Sequence, residues 1–165
     1  MKGKAQSIFL IILLVTLCSC NQTDKKPNPE IKKYGKNDVF YAKELGFALH
    51  EVVLEPEYNT AAQNGYGIIF YMKKGTAPVL IQGGAYRSLV DLAIYFNEEE
   101  RKSTEIGFSA LNDDPDFKGK AIFYFRIGDD EEFPKRGVFK YNAAAESENM
   151  SFEIDLSQLI IPDKQ

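Results

Sequence analysis

The residues able to do chemistry in this chain are few, and their spacing excludes most of it. His50 is the only histidine, so a Ser-His-Asp triad would need it as base, and a cluster of histidines around a metal cannot form. It sits in the strand-like stretch Phe47-Ala48-Leu49-His50-Glu51-Val52-Val53, and the chain has no nucleophile-elbow glycine pattern. It therefore reads as a structural or solvent-facing residue. Asn112-Asp113-Asp114-Pro115-Asp116 has the acid density of a calcium loop, but position six of an EF-hand loop must be glycine, and here it is Phe117. The other acidic run is Asp129-Asp130-Glu131-Glu132. The strand expected between the two runs would hold them about 30 Å apart at ~3.3 Å per residue. They should therefore lie at opposite ends of the domain, with the rim Asn97–Lys102 beside the second. Both runs read as solvated turns. A glycosidase needs two carboxylates flanking one cleft, whereas nearly all the acids here fall in turns. No catalytic residue, metal site or cofactor is expected.

Tyrosine is the residue type with most potential for recognition, because it combines a large rigid ring with a polar tip. Tyr71, Tyr95, Tyr124 and Tyr141 all fall in strand-like segments. The sheet face carrying Tyr95 and Tyr124 is the expected partner-binding surface. Routine cross-strand packing is the plainer alternative.

The most specific stretch is the first twenty residues. Lys2 and Lys4 precede an apolar run from Ile8 to Leu17, which ends in Leu17-Cys18-Ser19-Cys20. A run of about ten residues is half of what spans a bilayer, and the pattern is that of an export signal. Its end resembles the bacterial lipobox, in which a signal peptidase cuts before a cysteine that carries diacylglycerol. Leu17 matches the aliphatic position, Ser19 the small one, and Cys20 the invariant cysteine. The resemblance implies a lipid on Cys20 as the membrane anchor. Asn21, where inner-membrane retention signals place aspartate, implies the outer membrane.

Without residues 1–19 the chain keeps 18 Lys+Arg against 24 Asp+Glu, a net charge of −6. Such an acidic chain disfavours nucleic acid as partner. No cysteine follows Cys20, so disulfides, thiol nucleophiles and cysteine–metal centres are excluded. The core alone must stabilise the fold.

Residues 20–37, with two prolines and many polar side chains, read as a tether reaching on the order of 20 Å. Residues 38–165 read as one domain. Asn37-Asp38 could cap a helix from Val39 to Leu45 or lead into a first strand. Beyond Phe47 the hydrophobic period is two, most cleanly in Met150–Leu156, Val90–Phe96 and Ala121–Ile127. With further strands near 47–55, 66–73, 78–82, 105–111 and 137–142, about eight are expected. A helix over Tyr86–Phe96 is a weaker alternative. The final strand, alternating and last in the chain, is expected at a sheet edge.

Many short strands with turn-rich connections argue an all-β antiparallel sandwich, with a small eight-stranded barrel as runner-up. The expected function is that of an envelope lipoprotein, non-catalytic, whose sandwich binds another envelope protein. A barrel carrying a lipid or apolar ligand, or an accessory or immunity lipoprotein of a secretion system, are the alternatives. On this reading Cys20→Ala abolishes lipid labelling, leaves the precursor uncut and reduces membrane retention, while Cys18→Ala does little. Equal labelling of wild type and the Cys20 variant would refute the assignment.

Overall fold

Apolar residues at alternate positions commit each strand to burying one side. The computed structural model describes residues 31–73, 89–143 and 145–163. Among these the alternation yields ten strands: β1 (Lys33–Tyr34), β2 (Val39–Ala42), β3 (Leu45–Leu54), β4 (Gln63–Lys73), β5 (Val90–Phe96), β6 (Glu99–Lys102), β7 (Glu105–Ala110), β8 (Phe117–Gly128), β9 (Arg136–Tyr141) and β10 (Met150–Asp155). They form sheet A, in the order β1-β10-β9-β5-β6, and sheet B, in the order β2-β3-β4-β8-β7. Only the β1–β10 pairing is parallel. The architecture is a β-sandwich that does not close, so the barrel is set aside.

The sheets meet on rings. Phe139 of β9 has its centroid 5.1 Å from Phe40, 4.7 Å from Phe47, 5.2 Å from Phe70 and 5.6 Å from Phe123, all on sheet B. All five are at most 1% exposed. Leu92 and Ile154 of sheet A, with Leu49, Ile68 and Phe125 of sheet B, fill the space around them.

On both sides of the sandwich the chain crosses from one sheet to the other. On one side Ser103 still donates to the Leu92 carbonyl of β5 (3.1 Å), and Thr104 already donates to the Tyr124 carbonyl of β8 (2.8 Å). One extended run thus changes sheet between adjacent residues. On the other side the turn Gly35–Asp38 carries β1 into β2. It is held by Gly35 N–H on Asp38 Oδ2 (2.9 Å) and by Asp38 N–H on the Gly35 carbonyl (3.2 Å).

Open readings are decided and some expectations change. Val39–Ala42 is a strand rather than a helix, because it pairs with β3 across the tight turn Lys43-Glu44, where Lys43 adopts φ 56°. Val90–Phe96 is strand, as its strict alternation requires. Glu99–Lys102, expected as part of the rim Asn97–Lys102, is edge strand β6. β10 is not an edge, because β1 covers Glu153 and Ile154. β1 also lies within residues assigned to the tether, and its Tyr34 packs 5.2 Å from Phe40. The expected strand at 78–82 lies outside the described residues.

With no disulfide in play, Phe139→Ala should cost about 3–5 kcal/mol, a large part of the 5–15 kcal/mol of an ordinary domain. Tyr41→Ala, at 51% exposure, should stay within about 0.5 kcal/mol. Urea unfolding of both variants measures the difference, and similar losses would show that the ring cluster does not join the sheets.

Candidate functional site

Strand parity turns Tyr95 outward on sheet A, where the register sets it beside Glu100 of β6 and Arg136 of β9. Its hydroxyl donates to Glu100 Oε2 (2.9 Å), and the Arg136 guanidinium lies 4.5 Å above its ring. Lys140 reaches Glu100 (3.0 Å), and Arg136 reaches Glu153 (3.1 Å), which also meets Lys33 (3.5 Å). Hydrogen bonds from Lys140 and Tyr95 hold the Glu100 carboxyl below its ordinary range, while burial first and then Glu100 raise the Tyr95 phenol. This face is a lattice of opposite charges that satisfy one another.

Tyr124 faces outward on sheet B. The expected single surface carrying both tyrosines therefore does not exist, since β5 and β8 belong to different sheets. Parity tells which residues of one strand share a side, but not which sheet the strand joins. Nor is the Tyr124 ring free. It stacks on Tyr58 at 4.4 Å and 11°, and Tyr58 donates to Glu105 Oε2 (3.0 Å). Burial, then that hydrogen bond, pushes the Tyr58 phenol up to about 12. Tyr58 belongs to a 3-10 turn, Pro56–Tyr58, lying over the start of β4. A Cβ at Gly65 would sit 2.4 Å from the Glu55 carbonyl and 2.5 Å from Tyr58 Cβ, so only glycine lets the turn approach.

The rest of this outer face mixes apolar and aromatic residues with charged ones, Glu51 opposite Ile69 and Lys120 opposite Tyr71. Cross-strand rows place Val53, Gly67 and Tyr124 together, then Ile69 with Ile122, then Ala48 with Tyr71. His50 is the extra residue of a β-bulge between Leu49 and Glu51. Its ring stacks on Tyr71 at 3.8 Å, and Phe117 lies 5.6 Å beyond. The histidine thus has a packing role. Tyr141, 9% exposed, belongs to the core. The sequence reading missed Tyr58, Val53, Ile69 and Ile122; the signal for Tyr58 was Gly65 inside a strand, a mark of close backbone approach.

The two acidic loops lie at opposite ends of β8, as their spacing required. Asp114 Oδ1 accepts from the Asp116 and Phe117 N–H groups of its own turn (both 2.8 Å), which lowers its pKa. At the other end a cleft of about 560 Å³ is lined by Phe96, Glu98, Asp130, Glu132, Phe133 and Lys135, among others. Below it Arg101 of β6 lies 4.1 Å over the Phe96 ring and grips Glu131 with both terminal nitrogens (2.7 and 2.8 Å). Gly128 N–H adds a third donor at 2.6 Å, and together, Arg101 foremost, they bring the Glu131 carboxyl down to about 2. Among the described residues no three of His, Cys, Asp and Glu are grouped to hold a metal, and no helix is long and apolar enough to cross a membrane. Cys20 lies outside the described residues.

No protein-family model, curated protein or solved structure matches this chain. Its function has to be argued from its own residues.

Because the folded Glu131 pKa is depressed, its pair contributes stability above the ordinary carboxylate value, and that contribution is lost as pH falls from about 4.5 towards 2. Glu131→Gln should cost about 1 kcal/mol at pH 7, the scale of a part-exposed pair, and the deficit should vanish near pH 2. A deficit unchanged across that range, by thermal unfolding, would show that the charge is not what stabilises the loop.

Proposed function

We propose that this chain is an envelope lipoprotein held in the outer membrane by lipid on Cys20, with a non-catalytic β-sandwich that binds another envelope protein. The anchor rests on Leu17-Cys18-Ser19-Cys20 behind its short apolar run. The binding role rests on the contrast between the two outer faces. Sheet A's is occupied by its own ion pairs. Sheet B's carries half-buried Val53, Tyr71 and Ile122, with exposed Tyr41 at its margin and only Glu51 and Lys120 as charges in the Ile69 and Tyr71 rows. Desolvating apolar and aromatic area is favourable, whereas desolvating a satisfied charge lattice returns little. The packed rings between the sheets speak against the alternative of an apolar-ligand carrier, which would need that space.

Crosslinking in intact membranes followed by pull-down should capture a defined envelope protein. Capture should fall in a Tyr71→Ala, Ile122→Ala double variant and persist in Tyr95→Ala, with circular dichroism confirming a β fold in each. Unchanged capture by the folded double variant would remove sheet B's outer face from consideration.

A further inference from the structure

We infer that β7 is a pairing edge for a second copy of this chain, joining two sandwiches through one continuous sheet. An edge strand offers unpaired N–H and C=O groups, and proteins block such edges with charge, proline or brevity. The other edges are blocked. β6 is Glu-Glu-Arg-Lys, β1 is two residues behind Lys32, and β2 is four residues between Asp38 and the Lys43 turn. β7 is the least guarded: its single charge, Glu105, stands at its first residue, and Ile106-Gly107-Phe108-Ser109-Ala110 holds no charge and no proline. Among the described residues no strand pairs with its outer side.

The register shows which groups are available. Leu111 N–H donates to the Lys118 carbonyl (2.9 Å), so residues 105, 107, 109 and 111 turn their amides to β8, while 106, 108 and 110 turn theirs away. The inward side chains of Ile106 and Phe108 remain only partly buried at the core's margin. A further strand would cover that margin, and it must be uncharged where it crosses.

β7 meets this requirement itself. Antiparallel pairing about a two-fold axis at Phe108 sets Ile106 against Ala110 of the second copy and Phe108 against its equivalent. All of these belong to the outward-bonding set, and no charged pair arises across the run. Glu105 falls opposite Leu111. Such a contact uses the same patch on both copies and closes at two.

The full chain in its membrane tests this by cysteine crosslinking, because no other cysteine follows Cys20. Hydrogen-bonded antiparallel partners have Cα atoms about 5.5 Å apart, within disulfide reach. Under mild oxidant Phe108→Cys should therefore give a reducible band of twice the chain's mass. Ala110→Cys alone should not, since its equivalents would lie about 14 Å apart along the strands. The Ile106→Cys, Ala110→Cys double variant should crosslink again, and it guards against a folding defect at Phe108. Adding Ala110→Lys to Phe108→Cys should abolish the band while the β circular-dichroism signal stays. Overturning results are a monomeric Phe108→Cys and Ile106→Cys, Ala110→Cys pair that are both folded, a band that survives Ala110→Lys, or crosslinks only to a protein of other mass. Capture through sheet B's outer face is scored separately, so either idea can fail alone.

Discussion

The contact of Phe139 with four rings of the opposite sheet is what the rest of the structure depends on. Sheet A offers one large aromatic side chain at its centre, and sheet B surrounds it with Phe40, Phe47, Phe70 and Phe123. Tilted and edge-on rings at these separations add attraction beyond the area they bury. Because the four partners come from β2, β3, β4 and β8, the single residue fixes the relative position of four strands. No covalent bridge shares that task. A fold without disulfides beyond Cys20 is thus tied to a core made largely of phenylalanine.

With the inner faces committed, the outer faces and edges are where the two sheets differ. Sheet A spends its outer positions on alternating Lys, Arg, Glu and Asp, which neutralise one another across the strands. Sheet B spends its own largely on Val53, Ile69, Tyr71 and Ile122, with Glu51 and Lys120 beside them, and covers one end with the Pro56–Tyr58 turn. The crossings at Ser103–Thr104 and Gly35–Asp38 shorten the exposed edges, leaving β7 as the longest edge strand of sheet B. The chemistry of each surface follows from which sheet a strand joins, a property of topology rather than of local sequence.

That distinction explains what the sequence made legible. Long alternating segments such as Val90–Phe96 and Met150–Asp155 were readable, because period two over six or seven residues has one simple meaning. The opposite placement of the acidic loops followed from strand length alone. Glu99–Lys102 was not readable, since an edge strand with charge on both sides carries no apolar period. β1 was too short to show any. The pairing of Tyr95 with Tyr124 failed for the same topological reason, and Cys20 lies outside the described residues. The Arg101–Glu131 grip was hidden because its partners are 30 residues apart; only the placement of their loops at one end hinted at it.

β1 is two residues long, yet it sets how the domain would bear a mechanical load. It runs parallel to β10, with Lys33 beside Glu153 and Tyr34 beside Ile154. Tension arriving through Ile31 would run along the strand axis, so both pairs would be strained together in shear instead of peeling one at a time. Behind them the Tyr34 ring is wedged between Phe40 and Phe152, at 5.2 and 6.0 Å, and Lys36 N–H is tied to Gln158 near the other terminus (3.3 Å). A pull on Ile31 would be handed to the phenylalanine core and to Gln158 at once, so that unravelling would not begin by fraying β1 alone.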